Sequence, residues 1–357
     1  MRKLFSVIAL LGIFVGATSS CRRINQRLGM GNTHRVLISK GEYPASSIQK
    51  LIATTSGGNI DVVGDAADQA VLEVYGSYQS QDSAEIVAKI KESFDLTISH
   101  DNNALSAIAQ QKRNLKEGLF NNNMGLAVHF VVHVGKNVES TLKTSGGNIR
   151  LQQLIGKQDF QTSGGNLHIE NIQGNLSGET AGGNIDLSNI EGQEISLHTS
   201  GGNIKAENVN GTTHLETSGG NITLAKGKGN YILETSGGNV HADDVDGSLK
   251  MSTSGGNVEA SNINGGIIGS TSGGNIHTKF TSVTSNIELD NQGGSIHIAI
   301  PKDAKVNVAI ASEEVHADGL VNFSGKSDKH AIEGTLNGGG PTITAKTSGG
   351  SINLNVE

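Results

Sequence analysis

The stretch TSGGNIRLQQLIGKQDFQ, from Thr144 to Gln161, is followed at once by a unit that opens with the same five letters at Thr162. The motif returns in steps of 18 residues, once 19, with starts at Thr144, Thr162, Thr180, Thr199, Thr217, Thr235, Thr253 and Thr271. Outlying copies are TSGGNI at Thr55, TSGGSI at Thr347 and a degenerate NQGGSI at Asn291. A short phrase repeated at a fixed period indicates a repeat architecture.

The residues after each motif form columns of apolar side chains. One column is aliphatic in every unit and consists of Ile149, Leu167, Ile185, Ile204, Ile222, Val240, Val258 and Ile276. Two places further on, the residue is again apolar or small, and this alternation is typical of a strand with one face inward. A glycine then recurs at Gly156, Gly174, Gly192, Gly211, Gly229, Gly247 and Gly265, before a second alternating pair. We predict two short strands in each unit, joined by two glycine-bearing turns.

A single unit of this kind cannot bury its apolar face, but stacked units bury one continuous core. The sequence therefore predicts an all-β fold, a single-chain β-solenoid or β-helix, with neighbouring coils about 4.8 Å apart. A left-handed hexapeptide helix needs an aliphatic residue every six positions, and Gln161 breaks that pattern. Calcium-binding nonapeptide repeats need GGxGxD, which is not the motif found here.

An asparagine closes each motif, and these residues would stack at one corner of the coil. They are Asn148, Asn166, Asn184, Asn203, Asn221, Asn239, Asn257 and Asn275. Asparagine tolerates the left-handed conformation and carries both a donor and an acceptor, so we predict a structural ladder that bonds coil to coil. A second, patchier column consists of Asn171, Asn189, Asn208, Asp244 and Asn262.

The ends of the chain differ from the repeats, as the ends of a solenoid must. We predict a signal peptide at 1–20, a polar tether at 21–33, an N-terminal cap region at 34–140, regular repeats at 141–290 and a C-terminal solenoid and cap at 291–357. The N-terminal region contains strands and one helix at 82–94. Asp82 can cap this helix together with Glu85, and Ile86, Ile90 and Phe94 form its apolar stripe.

The first residues have the pattern of an export signal. Arg2 and Lys3 precede a short apolar run at 4–16, and small residues at 17–20 resemble a cleavage region. Cys21, the only cysteine, follows directly and resembles the lipidated cysteine of bacterial lipoproteins. We expect an exported protein, an outer-membrane lipoprotein with Cys21 as the lipid attachment site, on the surface or the periplasmic face. The alternative is a secreted protein with an unpaired cysteine.

Taken together, these features resemble the bacterial putative-adhesin β-solenoid domains of unknown function. The resemblance rests on the TSGGNI-type phrases, on the strand–proline–strand element IHIAIPKDAKVNVAI and on the closing TLNGGGPTITAKTSGGSINLNVE, and it covers residues 34–357. It implies an envelope-associated, non-catalytic protein.

Composition excludes several classes of partner. The net charge of −7 without a basic block argues against nucleic acid. There is no tryptophan, and Tyr231 is the only tyrosine in the repeats, so sugar stacking on aromatic rings is not expected. The repeated corner serine is not in a G-x-S-x-G elbow, and we predict no catalytic residue and no cofactor.

One outward column contains side chains that could ligate a metal. His241, Glu259, His277 and His297 would stack about 5 Å apart, a spacing at which imidazoles and a carboxylate can share an ion. A solvated face of mixed charges explains the same residues, and we take this as the expectation, with metal binding as the alternative.

The function expected from these patterns is non-catalytic. We predict an adhesin or surface scaffold that presents flat rows of Thr, Ser, Asn and mixed charges for multivalent weak binding to a surface polymer or protein. The membrane is contacted only through the lipid anchor, and self-association through open ends is compatible with the fold. The alternatives are a periplasm-facing envelope-stress or regulatory protein that binds a partner, and a divergent carbohydrate-active enzyme.

Overall fold

The computed structural model of the protein describes residues 34–112 and 125–357. Across these residues the chain is almost entirely β-strand and winds into a solenoid of about nine turns, with coils of about 18 residues. The predicted fold class is therefore confirmed. The buried apolar side chains form one continuous core that runs along the solenoid axis from Ala45 to Val356.

In the described part of the N-terminal region, residues 34–112 and 125–138, there are seven strands and one helix. The elements are β1 (Arg35–Pro44), β2 (Lys50–Thr55), β3 (Ile60–Val63), β4 (Gln69–Ser77), α1 (Ser83–Ser93), β5 (Phe94–Asp101), β6 (Ala104–Gln111) and β7 (Ala127–His133), with a short 3-10 turn at Ala45–Ser47. Strands β1, β4 and β7 pair antiparallel in that order, and β5 pairs antiparallel with β6.

The helix begins and ends close to its predicted bounds. The Asp82 carboxylate accepts a hydrogen bond from the backbone N–H of Ala84 at 2.8 Å. The predicted reciprocal bond from Glu85 is not formed, because the Glu85 carboxylate accepts from the Ser80 hydroxyl at 2.5 Å instead. Ile86 and Ile90 are buried, as the apolar stripe predicts.

The regular array follows. Its strands are β8 (Glu139–Thr144), β9 (Ile149–Gln152), β10 (Gln158–Thr162), β11 (Leu167–Gln173), β12 (Leu176–Thr180), β13 (Ile185–Thr199), β14 (Ile204–Thr217), β15 (Ile222–Thr235), β16 (Val240–Thr253), β17 (Val258–Thr271) and β18 (Ile276–Asn291). Adjacent coils pair in parallel and in register, so that Ile204 lies opposite Ile222 and Thr217 opposite Thr235. From β13 onward, a strand continues through the second corner, where two separate strands were predicted.

The backbone explains why that second corner does not break the strand. Asn208 has φ of 54° and Gly211 has φ of 126°, so both residues turn the chain. The pairing between adjacent coils continues through this corner, where Gly211 lies opposite Gly229. The left-handed residues belong to the patchier asparagine column, which Gln153 and Lys226 also join. The motif asparagines from Asn148 to Asn275, all within the described residues, do not have positive φ. The motif asparagines therefore occupy their corner without the left-handed conformation that asparagine tolerates.

The solitary motif at Thr55 is part of the same stack. Strands β2 and β3 pair in parallel with β8 and β9, although residues 64–138 lie between them in the chain. The Thr144 hydroxyl donates to the carbonyl of Gly58 at 2.7 Å. The coil that contains Thr55 is therefore the direct neighbour of the coil that begins at Thr144.

The C-terminal region continues the stack and then closes it. Its strands are β19 (Ile296–Ile300), β20 (Val306–Ala311), β21 (Glu314–Asp318), β22 (Phe323–Ser327), β23 (Ala331–Leu336), β24 (Thr342–Thr347) and β25 (Ser351–Val356). Strands β24 and β25 stack in parallel on β18 and β19, so the last motif follows the degenerate one. Antiparallel pairing of β20 with β23, and of β23 with β22, ends the regular coils.

Candidate interaction surface

The motif threonines lie inside the corner. Thr217 is 1% exposed, and its hydroxyl donates to the carbonyl of Gly202 at 2.8 Å. The same hydroxyl oxygen accepts from the backbone N–H of Gly220 at 3.2 Å. This arrangement repeats along the array, so the motif threonines bind coil to coil. The expectation that they form a surface row is wrong, because their hydroxyls are consumed by backbone groups.

The motif asparagines form a second ladder on the outside of the corner. The side-chain oxygen of Asn203 accepts from the backbone N–H of Asn221 at 2.8 Å, and Asn221 accepts from Asn239 in the same way at 2.7 Å. The rungs join Asn59, Asn148, Asn166, Asn184, Asn203, Asn221, Asn239, Asn257 and Asn275. At the far end, Ser295 donates its N–H to Asn275 at 2.9 Å.

A buried histidine occupies the first position of this ladder. The backbone N–H of Asn59 donates to Nδ1 of His129 at 2.9 Å, and Nε2 of His129 lies 2.9 Å from the hydroxyl of Ser77. Burial, and then the nearby Arg35, lower the pKa of His129 to about 3. The imidazole is therefore neutral at pH 7 and serves as an acceptor for the ladder. His133, four residues on, instead pairs with Asp65 at 2.8 Å.

A buried charge cluster lies where the N-terminal strands meet the first coil. Asp61 is 3% exposed and lies opposite Arg150 in the β3–β9 pair. Burial raises the pKa of Asp61 to about 7, while the positive charges of Arg35 and Arg150 act to lower it. Since these groups join β1, β3 and β9, the cluster couples the N-terminal cap to the array.

The outward column of metal-ligating side chains is formed in register. His241 Nδ1 lies 3.3 Å from the Glu259 carboxylate, and Glu259 lies opposite His277 in the β17–β18 pair. The rings of His277 and His297 stack with centroids 4.6 Å apart and planes at 7°. Burial, and then the neighbouring His277, lower the pKa of His297. In residues 34–112 and 125–357, no three His, Cys, Asp or Glu side chains converge on one point where a metal could sit.

A shallow trough of about 440 Å³ lies on the face formed by β8, β10, β12 and the second half of β13. It runs between two outward columns, each in register from coil to coil. The first column consists of Thr141, Asp159, Ser177 and Ser196, and the second of Lys143, Gln161, Glu179 and His198. Leu142, Phe160 and Gly178 line the trough between them. It therefore offers hydrogen-bond donors and acceptors, and side chains of both charges, along four successive coils.

Side-chain size explains where the trough lies. The first column consists of small or short residues over these four coils, and it continues in register with His214, Ile232, Lys250 and Ile268. A Cβ on Gly178 would lie 2.1 Å from Cε2 of Phe160, so the aromatic ring occupies the space that a side chain would fill. The sequence analysis did not predict the trough. Its signal was a short side chain at the same repeat position in four successive coils.

Charged and titratable side chains beside the trough contact each other between adjacent coils. His198 lies 3.6 Å from Glu216, and Glu234 lies 3.5 Å from His214 and 2.7 Å from Lys250. The hydrogen bond from Lys250 is the main cause that lowers the pKa of Glu234. These pairs leave the face polar and of mixed charge, as expected for a solvated β surface.

The predicted signal peptide, the tether and the lipid attachment site Cys21 lie outside the described residues. Within the described part of the chain, no helix has the length and apolar character needed to cross a membrane.

Comparison with known proteins identifies the family. The family model described as Toastrack DUF4097 matches residues 48–261 and 229–355. Since these matches cover most of the chain, the protein belongs to this family. No curated protein matches it significantly.

Several solved structures match the chain at low sequence identity and low TM-score. A putative adhesin from Bacteroides fragilis is 13% identical, with a TM-score of 0.28 over 91% of this chain and 97% of that one. A putative cell adhesion protein from Clostridium sporogenes is 9% identical, with a TM-score of 0.21 over 89% and 99%. A putative lipid binding protein from Parabacteroides distasonis is 16% identical, with a TM-score of 0.27 over 72% and 95%. At these identities and TM-scores, the names of those proteins do not carry over to this chain.

Proposed function

We propose that the protein is a non-catalytic scaffold of the bacterial cell envelope that binds an extended polar polymer through many weak contacts along the solenoid. The observation that carries this proposal is the register of the outward columns. Each polar side chain faces its counterpart one coil away, as Ser177 faces Ser196 and Glu179 faces His198. Strands in a sheet lie about 4.8 Å apart, so the solenoid presents its outward side chains at a short, constant interval.

Multivalency follows from that interval. A polymer with its own regular repeat can engage several rungs at once, and linked weak contacts give an overall affinity well above that of each contact. The trough is the most enclosed part of this surface, and we assign it as the first contact for the polymer. Thr141, Ser177 and Ser196 offer hydroxyls there, and Lys143 and Glu179 offer opposite charges.

The non-catalytic and envelope parts of the proposal have separate support. A catalytic site needs a singular group of reactive side chains, whereas the threonine and asparagine hydrogen-bond ladders repeat from coil to coil. Export is supported by the signal-like residues 1–20 and by Cys21 after them. Whether the solenoid faces outward or into the periplasm decides which polymers it can reach.

Protease accessibility on intact cells tests the location, with lysed cells as the control. Digestion on intact cells supports an outward scaffold. Protection until lysis would redirect the search to a periplasmic partner protein.

Polymer binding tests the mechanism. The chain with Cys21→Ser is passed over immobilised dextran and immobilised hyaluronan, a neutral and an anionic polymer. We expect a roughly two- to three-fold loss of affinity for Ser177→Arg in the trough, no change for Thr223→Arg on another strand face, and a larger loss when Thr235–Ser252, one whole coil, is deleted. Complete loss from the single trough substitution would show a discrete site and contradict multivalent binding. No binding of the intact chain to either polymer would also count against the proposal.

A further inference from the structure

Two histidines differ from all the others in their surroundings. The chain has twelve histidines, and all of them lie in the described residues. Ten have a hydrogen-bond or ion-pair partner: His34, His100, His129, His133, His168, His198, His214, His241, His316 and His330. His277 and His297 have only each other within the described chain, ring against ring.

The backbone holds these two imidazoles together. His277 on β18 lies directly opposite His297 on β19 in a parallel pair. The ring centroids are 4.6 Å apart, close to the spacing of the strands themselves. His277 is exposed and His297 is half-buried, so solvent and ions reach the pair. Sheet register, rather than a flexible loop, therefore sets their separation.

The neighbouring rungs supply further ligand types. Glu259 lies opposite His277 on one side, and Asn353 lies opposite His297 on the other. Two imidazole nitrogens bound at about 2.0–2.1 Å to one ion lie roughly 3 Å apart, which the two rings reach by tilting toward each other. The Glu259 carboxylate provides a third ligand if it turns from His241 to the ion.

We propose that His277 and His297 form a chelating pair for a divalent transition-metal ion, with Glu259 as an additional ligand and water in the remaining positions. Imidazole suits Cu²⁺, Ni²⁺ and Zn²⁺, whereas Mg²⁺ and Ca²⁺ require oxygen ligands. The affinity order for such a nitrogen site places Cu²⁺ above Zn²⁺. This site is independent of the polymer-binding face.

Metal titration of the tag-free chain tests the pair. The Cys21→Ser chain is titrated with ZnCl₂ and with CuCl₂ at pH 7.5, in competition with a chromophoric chelator. We expect one ion per chain, bound more tightly for Cu²⁺, and at least a ten-fold weaker affinity after His277→Ala or His297→Ala. His168→Ala is the matched control, because it removes an imidazole from the same outward column away from the pair, and it should leave the affinity unchanged.

Electron paramagnetic resonance of the Cu²⁺ complex gives a second readout. The pair predicts splitting from two imidazole nitrogens in the native chain and from one in either alanine variant. Circular dichroism verifies that both variants keep the fold. Equal affinities for the native chain and the two variants would overturn the proposal, as would the absence of Zn²⁺ and Cu²⁺ binding.

Discussion

Two adjacent glycines in one corner have different structural demands. A Cβ on Gly220 would lie 2.0 Å from the carbonyl oxygen of Gly202 in the preceding coil. A Cβ on Gly219 would have its nearest contact at 3.7 Å, with the carbonyl oxygen of Ser200, which is an ordinary van der Waals distance. Only the second glycine of the motif is therefore required by the stacking of coils.

This difference predicts opposite outcomes for two neighbouring substitutions. Gly220→Ala should lower the free energy of unfolding by about 3 kcal/mol, because the coils must separate to admit the methyl group. Gly219→Ala should change it by no more than about 0.5 kcal/mol, as for other surface substitutions. Urea unfolding followed by circular dichroism measures both. Equal effects would show that close approach of the backbone does not determine this corner.

The buried Asp61 predicts a pH dependence of stability. Its native pKa of about 7 lies above the ordinary value of 3.8, because burial disfavours the carboxylate. The native state then binds the proton more tightly, so this contribution to stability is present below about pH 4 and is lost as the pH rises through about 7. Asp61→Asn removes this contribution. We expect the free energy of unfolding of the variant to increase relative to that of the native chain from pH 4 to pH 8, so that the variant becomes relatively more stable.

The comparison of the two chains isolates Asp61 from His129. The pKa of His129 falls from 6.5 to about 3, so its contribution is present above pH 6.5 and is lost as the pH falls toward 3. Both chains contain His129, and its effect cancels in the difference. Urea unfolding at pH 4, 6 and 8 gives that difference. A shift in the opposite direction would mean that Arg35 and Arg150 hold the native pKa of Asp61 below 3.8.

At the scale of the element, one coil is the unit of stability. Strands β15, β16 and β17 pair with one another in the same register, and the apolar residues Val240, Ala242 and Val245 face the counterparts Val258, Ala260 and Ile263. In such stacks, stability is close to a sum of terms within coils and between nearest neighbours. Removing one coil should therefore bring two equivalent surfaces together.

Deletion of Thr235–Ser252 tests that equivalence. Thr235 and Thr253 occupy the same position in successive coils, so the deletion joins Glu234 to Thr253 in register. We expect a folded chain with the circular dichroism of a β protein and a modestly lower resistance to urea. Deletion of Thr235–Asp243, half a coil, is the control. It places the residues after the deletion out of register with the preceding coil, so that strands meet corners, and it should unfold the region. A folded half-coil deletion would contradict the register argument.

The sequence period predicted the coil, and the reason is local. Within each coil, the aliphatic residue of the column from Ile149 to Ile276 belongs to a pattern that alternates at the spacing of a strand. Every residue of this column is buried. Two columns of asparagines are visible in the sequence, but residue type alone could not tell which of them adopts the left-handed conformation. Lys226 and Gln153 adopt the same positive φ without the residue type that indicates it.

Contacts between distant parts of the chain could not be derived from the period. The motif at Thr55 has the repeat sequence, yet its neighbour in space begins at Thr144. The trough arises from Gly178 and a row of short side chains, and its shape depends on how Phe160 packs. These features need the three-dimensional arrangement, because each depends on which coils meet and on how their side chains fill space.

At the scale of the whole molecule, strands of the N-terminal region pair with the first coil of the regular array. Strands β8 and β9 are covered by β2 and β3, which are covered in turn by β6 and β7. An uncovered strand presents unpaired N–H and C=O groups that bind other chains. We therefore expect the N-terminal region to prevent the array from pairing with a second copy.

A chain that begins at Lys136 tests this protection. It retains the array from β8 onward but lacks the strands that cover β8 and β9. We expect concentration-dependent self-association of 136–357, measured by size-exclusion chromatography with light scattering, whereas 34–357 should elute as a smaller species. If 136–357 remains monomeric at the same concentration, the exposed edge is not adhesive.

The hydrogen bond between Asn59 and Asn148 also has a consequence for the rate at which the chain folds. It joins residues 89 apart in the chain, whereas the rung between Asn148 and Asn166 joins residues 18 apart. Synthesis proceeds from the N-terminus, so Lys50–Val63 is made long before strands β8 and β9 of the neighbouring coil, with which it pairs. Closing the longer loop loses more chain entropy, and non-local strand pairing is slow. We therefore expect the first coil in the sequence to pair more slowly with its neighbour than the later coils do, and its edge to stay exposed in that interval.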